Sequence, residues 1–192
     1  METLILTTKT KLYKNYKPNM NKLIIARRNS LHYFVLFLSV IFLSLSTVAY
    51  SQTGPAQIIP DFTFNRFNGQ PFSRKDLTIN KKIVIVFFDV SCDHCQNELK
   101  AMSTRFDDFK KTEFYLVSMD NVASIQTFMK KYAPKMQGKV NVTLLRDVSR
   151  QFIVRFRPIQ FPATYVYDSK KRLVKYFGQN SKVADIITAV NK

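Results

Sequence analysis

The chain has 192 residues, 46% of them hydrophobic and 22% charged, with 30 Lys+Arg against 13 Asp+Glu and only two cysteines. That apolar share builds a core and excludes wholesale disorder, while four glycines and seven prolines exclude collagen-like and low-complexity architectures. Two cysteines supply neither a disulfide scaffold nor a four-thiolate metal site.

The N-terminal thirty residues are basic, with Lys9, Lys11, Lys14, Lys17, Lys22, Arg27 and Arg28 against Glu2. The most apolar stretch follows, Tyr33 to Leu43, and fades into Ala49-Tyr50-Ser51-Gln52. Positive charge, an apolar run and a small-x-small site form the pattern of a secretory signal, with cleavage expected after Ser51. Met20 offers an alternative start, because Lys22, Arg27 and Arg28 are charge enough. Arg27-Arg28 is not followed by the residues that twin-arginine export needs. The rival reading is an uncleaved anchor through residues 31–49, although His32, Ser39, Ser44, Ser46 and Thr47 interrupt that run. Both readings place the rest outside the cytoplasm, periplasmic or membrane-anchored and facing the periplasm. Without residues 1–51 there remain 23 Lys+Arg against 12 Asp+Glu, a net +11 that suits anionic lipid or acidic partner proteins. The runs Lys81-Lys82, Lys110-Lys111, Lys130-Lys131 and Lys170-Lys171-Arg172 are dispersed at element ends and read as a solvated surface, so no nucleic-acid partner is expected.

Residues 52–60 read as a linker and residues 61–192 as one domain. Asp61–Phe67 alternates, Asn68-Gly69 marks a turn and Gln70-Pro71-Phe72 starts the return, which predicts a hairpin. Lys82–Asp89 (KIVIVFFD) has the continuous β-branched and aromatic run of a strand buried on both faces. Leu99, Met102, Phe106 and Phe109 fall at helical spacing and predict a helix over 93–111. Glu113–Met119 reads as a strand, Val122–Tyr132 as a helix, Val140–Leu145 as a strand and Val148–Phe156 as a short helix. Ala163–Tyr167 and Arg172–Phe177 read as strands joined at Asp168–Lys171, and Val183–Val190 as a closing helix. The order predicts an α/β fold whose central sheet is mixed: parallel strands from the β-α alternation and antiparallel ones from the late hairpin. Phe87, Phe88, Phe106, Phe109, Phe114, Phe128, Phe152 and Phe156 fall at core positions of these elements.

The chemistry sits in Ser91-Cys92-Asp93-His94-Cys95. Two cysteines placed at random stand three apart about 1% of the time, so the spacing is informative. At a helix start after a buried strand, the pair can close a reversible disulfide across one turn. Free N–H groups and the positive dipole end stabilise a Cys92 thiolate, the attacking form, and the deeper Cys95 resolves the mixed disulfide. Glu98, one turn below Cys95, can accept and return its proton; an exposed helix glutamate explains the residue equally well. His94, when protonated, favours a thiolate, whereas Asp93 opposes one or simply caps the helix, so the direction of electron flow stays open. His94 with two thiols makes three metal ligands and lacks a fourth. Asp89, close to Cys92, either acts on the thiols or ends the strand, and the second is the favoured reading. Arg150, Arg155 and Arg157 either steer acidic partners or form a solvated helix face.

A strand, then a C-x-x-C at a helix start, then Phe161-Pro162-Ala163-Thr164 leading into a strand, resembles the thioredoxin superfamily. The hairpin, the extra β-α before Pro162 and the export pattern are similar to the TlpA/ResA branch of exported thiol-disulfide oxidoreductases, related to the redoxin and AhpC/TSA group. The resemblance covers about residues 56–192. It implies a thioredoxin-like fold, a redox-active Cys92–Cys95 disulfide, a cis Pro162 beside it and substrate contact at Phe161 and Pro162. It implies no cofactor, protein thiols and disulfides as partners, and a redox partner at the membrane, with reduction of partner proteins the favoured direction. Glu98 matches a glutamate frequent in that branch. The chain departs from the superfamily in having no Trp before the motif, Phe88 standing four residues ahead of Cys92, and Val86 where thioredoxin proper has a buried acid. A thiol peroxidase would carry a proline and a Thr or Ser where Ile85 and Asp89 stand. A copper-delivery protein of the Sco type would space its cysteines one residue further apart and add a later histidine. These two, and a non-catalytic thioredoxin-like interaction module, are the alternative readings.

Overall fold

The computed structural model describes residues 32–39, 54–109 and 111–192. The chain divides into two units between Gln52 and Thr53. In the first, residues 32–39 are helical with exposed side chains, and the Ser39 hydroxyl donates to the Leu36 carbonyl at 2.8 Å. Among the described residues no helix is long and apolar enough to cross a membrane. The cleavage position after Ser51, the start at Met20 and most of the 31–49 run lie outside the described residues.

The second unit is built on a seven-stranded mixed sheet: β1 (Thr63–Asn65), β2 (Pro71–Ser73), β3 (Lys82–Phe87), β4 (Thr112–Ser118), β5 (Val142–Arg146), β6 (Ala163–Tyr167) and β7 (Leu173–Phe177), in spatial order β2-β1-β5-β4-β3-β6-β7. Its helices are α1 (Asp93–Thr104), α2 (Val122–Tyr132), α3 (Gln151–Phe156) and α4 (Val183–Asn191). β3, β4 and β5 run parallel, as β-α-β units require, while β6 lies antiparallel to β3 and β7 antiparallel to β6. The hairpin extends the sheet through Asn65 opposite Arg146. Its turn is closed by Arg66 N–H to the Gln70 carbonyl at 2.8 Å, and Gly69 supplies the positive φ of 84° that the reversal needs.

Strand alternation divides the core in two. Val84, Val86, Phe114, Leu116 and Val166 face a helical layer with Leu99, Met102, Ile125 and Ile186. Ile83, Ile85, Phe87, Tyr115, Val117, Tyr165 and Tyr167 face a second layer holding Phe62, Phe64, Phe72, Phe152 and Phe156. All eight phenylalanines assigned to the core are buried.

Several boundaries differ from the sequence expectation. α1 ends at Thr104 rather than 111, and a 3₁₀ turn over Phe106–Asp108 follows. Asp107 and Asp108 are poorly placed at the negative end of a helix dipole, and Asp108 instead accepts from Arg105 Nη2 at 2.8 Å. The turn still delivers Phe106 and Phe109 onto the Phe114 ring, 5.5 and 5.2 Å away. α3 begins at Gln151 rather than Val148, because Arg150 is left-handed with φ 56°. The buried Asp147 carboxylate caps this helix, accepting from the backbone N–H groups of Gln151 at 2.9 Å and Phe152 at 2.7 Å. β5 starts at Val142, leaving Val140 fully exposed.

Residues 54–60, expected as a linker, are packed onto the domain. Ala56 and Ile59 are buried, Ala56 N–H donates to the Phe156 carbonyl at 3.0 Å, and Ile58 forms an antiparallel bridge with Arg172. The buried Tyr167 hydroxyl donates to the Ala56 carbonyl at 3.0 Å. Burying Ala56 and Ile59 and pairing the Ala56 carbonyl with a tyrosine hydroxyl holds this segment down, although its two prolines and Gly54 read as a linker.

Candidate active site

β3 runs at the centre of the sheet and delivers the chain to α1 through Phe88–Ser91. Two carboxylates shape that connection. Asp89 Oδ1 accepts from Ser91 N–H at 2.7 Å and from the Ser91 hydroxyl at 2.5 Å, so it acts as a turn former at the strand end. Asp120, just past β4, accepts from Val90 N–H at 3.1 Å and from the Ser118 hydroxyl at 2.8 Å, tying the loop to the neighbouring strand. Gln96 Nε2 donates back to the Val90 carbonyl at 3.2 Å. Asp120→Ala is expected to cost about 1–2 kcal/mol and to loosen the loop before Cys92. Urea unfolding checks the first effect, and amide exchange at Val90 the second; unchanged protection there rules out the tether.

Cys92 occupies the N-cap of α1, and its Sγ accepts the Cys95 backbone N–H at 3.4 Å. The capping role offered to Asp93 therefore belongs to Cys92; Asp93 is the first helical residue and is exposed. Both cysteines are free thiols, Cys92 half-buried and Cys95 fully buried. Burial raises the Cys95 pKa strongly, and the hydrogen bond with Cys92 and the Glu98 charge push it the same way, so Cys95 holds its proton until a base takes it.

Glu98 is 7% exposed, and its carboxyl is pushed up from 4.5 to about 7 by burial, an effect opposed by the Thr164 hydroxyl, which donates to Oε1 at 2.6 Å. It is not an ordinary exposed helix glutamate. On its open side lies a cleft of about 450 Å³, also lined by His94, Asn97, Arg105, Asn180 and Lys182. His94 is exposed at this cleft. Among the described residues no group of three or more His, Cys, Asp and Glu is arranged to hold a metal ion. A larger recess, about 810 Å³, lies at the opposite end of the strands beside Lys82 and Lys111, far from the cysteines.

The Phe161–Pro162 peptide is cis and precedes β6, which pairs with β3 so that Ala163 faces Phe87 and Thr164 faces Val86. Pro162 is buried, and Phe161 is half-buried with its ring 5.0 Å from that of Phe87. The sheet thus brings Phe161 and Pro162 to the same end of β3 that delivers Cys92. Arg150 and Arg155 are exposed and Arg157 is half-buried, on the segment leading into that loop. Sequence reasoning missed Thr164 and Asp120. The signal for Thr164 was the one aliphatic hydroxyl among the alanine, valine and tyrosines of Ala163–Tyr167; for Asp120 it was an acid two residues beyond a buried strand.

A mixed sheet with a Cys-x-x-Cys pair capping the helix after its central strand, beside a cis proline, is the thioredoxin-like fold. The chain belongs to the AhpC/TSA family, whose model matches residues 55–176. Solved structures agree on the fold. A secreted disulfide oxidoreductase of Mycobacterium tuberculosis homologous to E. coli DsbE shares 22% identity over 68% of this chain and 94% of that one, at TM-score 0.55. A thio-disulfide isomerase from Thermus thermophilus shares 23% over 72% and 95%, at TM-score 0.56. Copper-bound ScoI of Arabidopsis thaliana shares 17% over 69% and 98%, at TM-score 0.54. No curated protein matches the sequence significantly.

Proposed function

We propose that the chain is an exported thiol-disulfide oxidoreductase that reduces disulfides of partner proteins through Cys92 and Cys95, with residues 1–51 as its export signal or anchor. The observation that carries this reading is the division of labour at the start of α1: a half-buried Cys92 whose sulfur accepts the Cys95 N–H, a fully buried Cys95, and a buried Glu98 one turn below it. The Cys92 thiolate attacks one sulfur of a target disulfide, and the other target sulfur leaves as a thiolate. Cys95 then gives its proton to the Glu98 carboxylate and attacks Cys92 Sγ, releasing the second target thiolate. The target gains two electrons and the protein is left with a Cys92–Cys95 disulfide, which a membrane redox partner reduces. The step uses neither metal nor organic cofactor. Phe161 and Pro162 contact the incoming polypeptide, and Asp93 and His94 tune the potential. Two of the structural relatives, the secreted disulfide oxidoreductase and the thio-disulfide isomerase, support the reading, since both are named for disulfide chemistry.

Equilibration in glutathione and dithiothreitol buffers tests the direction. A potential well below about −220 mV fits a reductant, while one near about −120 mV reverses the direction to an oxidant, and failure to form the disulfide overturns the enzyme reading.

Glu98 supplies its own test. A carboxylate acceptor that is half-ionised at about pH 7 gives an exchange rate that rises through neutrality. Glu98→Gln is expected to slow the resolving step by about 10²-fold above pH 7 and to flatten that rise. Because the folded value lies above the unfolded 4.5, the protonated form is favoured by folding, so stability falls as pH climbs from 4.5 to about 7. That loss is of the order of 3 kcal/mol and is absent in the Gln variant. An unchanged rate–pH profile in Glu98→Gln rules out the proton-transfer role.

A further inference from the structure

β6 alternates: Ala163, Tyr165 and Tyr167 face the aromatic layer, whereas Val166 faces the helical one. Thr164 shares the face of Val166 and lies opposite Val86, which is fully buried in that same apolar layer. A β-branched hydrocarbon is the default occupant of such a position. A hydroxyl there needs a partner, because burying one unpaired costs more than the methyl gains. Thr164 is fully buried, and its hydroxyl donates to Glu98 Oε1 at 2.6 Å. That bond joins residues 66 apart, linking the strand that follows the cis proline to the helix that carries both cysteines.

We infer that Thr164 is the positioning residue of the redox site: its hydroxyl fixes the Glu98 carboxylate between Cys95 and the cleft beside His94, and so ties the strand behind the Phe161–Pro162 loop to the proton acceptor of the resolving step. The inference rests on the oxidoreductase reading. A free carboxylate one turn below Cys95 has several rotamers; one held at Oε1 by a fully buried strand presents the same oxygen at every turnover. Glu98 also lines the cleft, by which the proton leaves to water. The hydroxyl also stabilises the charged form against the burial that disfavours it. The other titratable or charged groups around Glu98 are Cys95 and His94 from α1, Arg105 at its C-cap and Lys182 from the turn before α4. From β3 and β6 the facing side chains Val84, Val86 and Val166 are uncharged.

Thr164→Val keeps the shape and removes the donor, and Thr164→Ser keeps the donor. The oxidation of the reduced full-length protein by an excess of a disulfide-bonded peptide is followed against pH, alongside a carboxyl-carbon NMR titration of Glu98. The valine variant is expected to move the rise in rate and the Glu98 midpoint about one pH unit upward, slowing exchange about tenfold below pH 7. The serine variant keeps the wild-type profile. In a Glu98→Gln background Thr164→Val has no further effect on rate, a result that a purely packing role does not give. An unmoved profile in Thr164→Val, or equal slowing in the Gln background, overturns the positioning role alone. Absence of exchange by the wild-type protein overturns the oxidoreductase reading and the positioning role with it.

Discussion

Cys92→Ser is expected to lower disulfide exchange by about 10⁴-fold or more, because the chain then has no accessible thiolate to open a target disulfide. Cys95→Ser is expected to do something different. Cys92 still attacks, but nothing resolves the product, so the variant accumulates as a mixed disulfide that non-reducing gels display and dithiothreitol removes. The asymmetry follows from placement. Cys92 sits at the N-cap, half-buried, with its sulfur on the Cys95 N–H, whereas Cys95 is fully buried and its thiol is pushed far up by burial. Timed alkylation of the reduced protein with iodoacetamide at pH 7, read by mass spectrometry, checks the premise. Modification falls first on Cys92, and Cys95 reacts on the timescale of unfolding. If Cys95 is alkylated first, the two roles are reversed and the proton path through Glu98 loses its purpose.

What the sequence made legible was whatever depends on neighbours along the chain. The Cys92–Cys95 spacing, the helix that carries them and the one-turn offset to Glu98 are local facts, and periodicity reads local facts well. The strands β3, β4 and β6 were readable for the same reason, being short apolar runs with full burial on both faces. The environment of Glu98 was not. Its burial depends on Thr164, 66 residues away, and on the turn before α4 that closes the far wall of the cleft. The same holds for Asp120, whose carboxylate reaches from just past β4 to the backbone of Val90. Residues 54–60 show the converse error. Their composition carries turn signals, yet Tyr167 and Phe156 offer backbone and hydroxyl partners that only the folded sheet assembles. Helix ends were misread where a cap overrode periodicity, as at Asp147 and Arg150 before α3.

The second large effect is on stability. Phe152 is fully buried and lies in a column of rings: 4.1 Å from Phe87 on β3, 4.2 Å from Phe156 on its own helix and 6.0 Å from Phe64 on the hairpin. Phe87 in turn meets Phe161, 5.0 Å away, so one stack joins the strand before the cysteines, the short helix and the loop of the cis proline. Phe152→Ala removes a ring from a site closed by strand backbone on one side and by a helix anchored at Asp147 on the other, so little collapse can fill the hole. The expected cost is about 3–5 kcal/mol, a large part of the ~5–15 kcal/mol that holds a domain of this size together. The melting temperature is expected to fall by about 10–15 °C. Phe152→Leu keeps most of the volume and is expected to cost less than half as much. Local consequences separate this from a uniform loss of stability. Because the stack reaches Phe161, amide exchange should quicken around Gln160–Ala163 at alanine before the sheet as a whole melts. A cost below about 1 kcal/mol for the alanine variant means the rings do not form a shared core, and the short helix is then held by Asp147 alone.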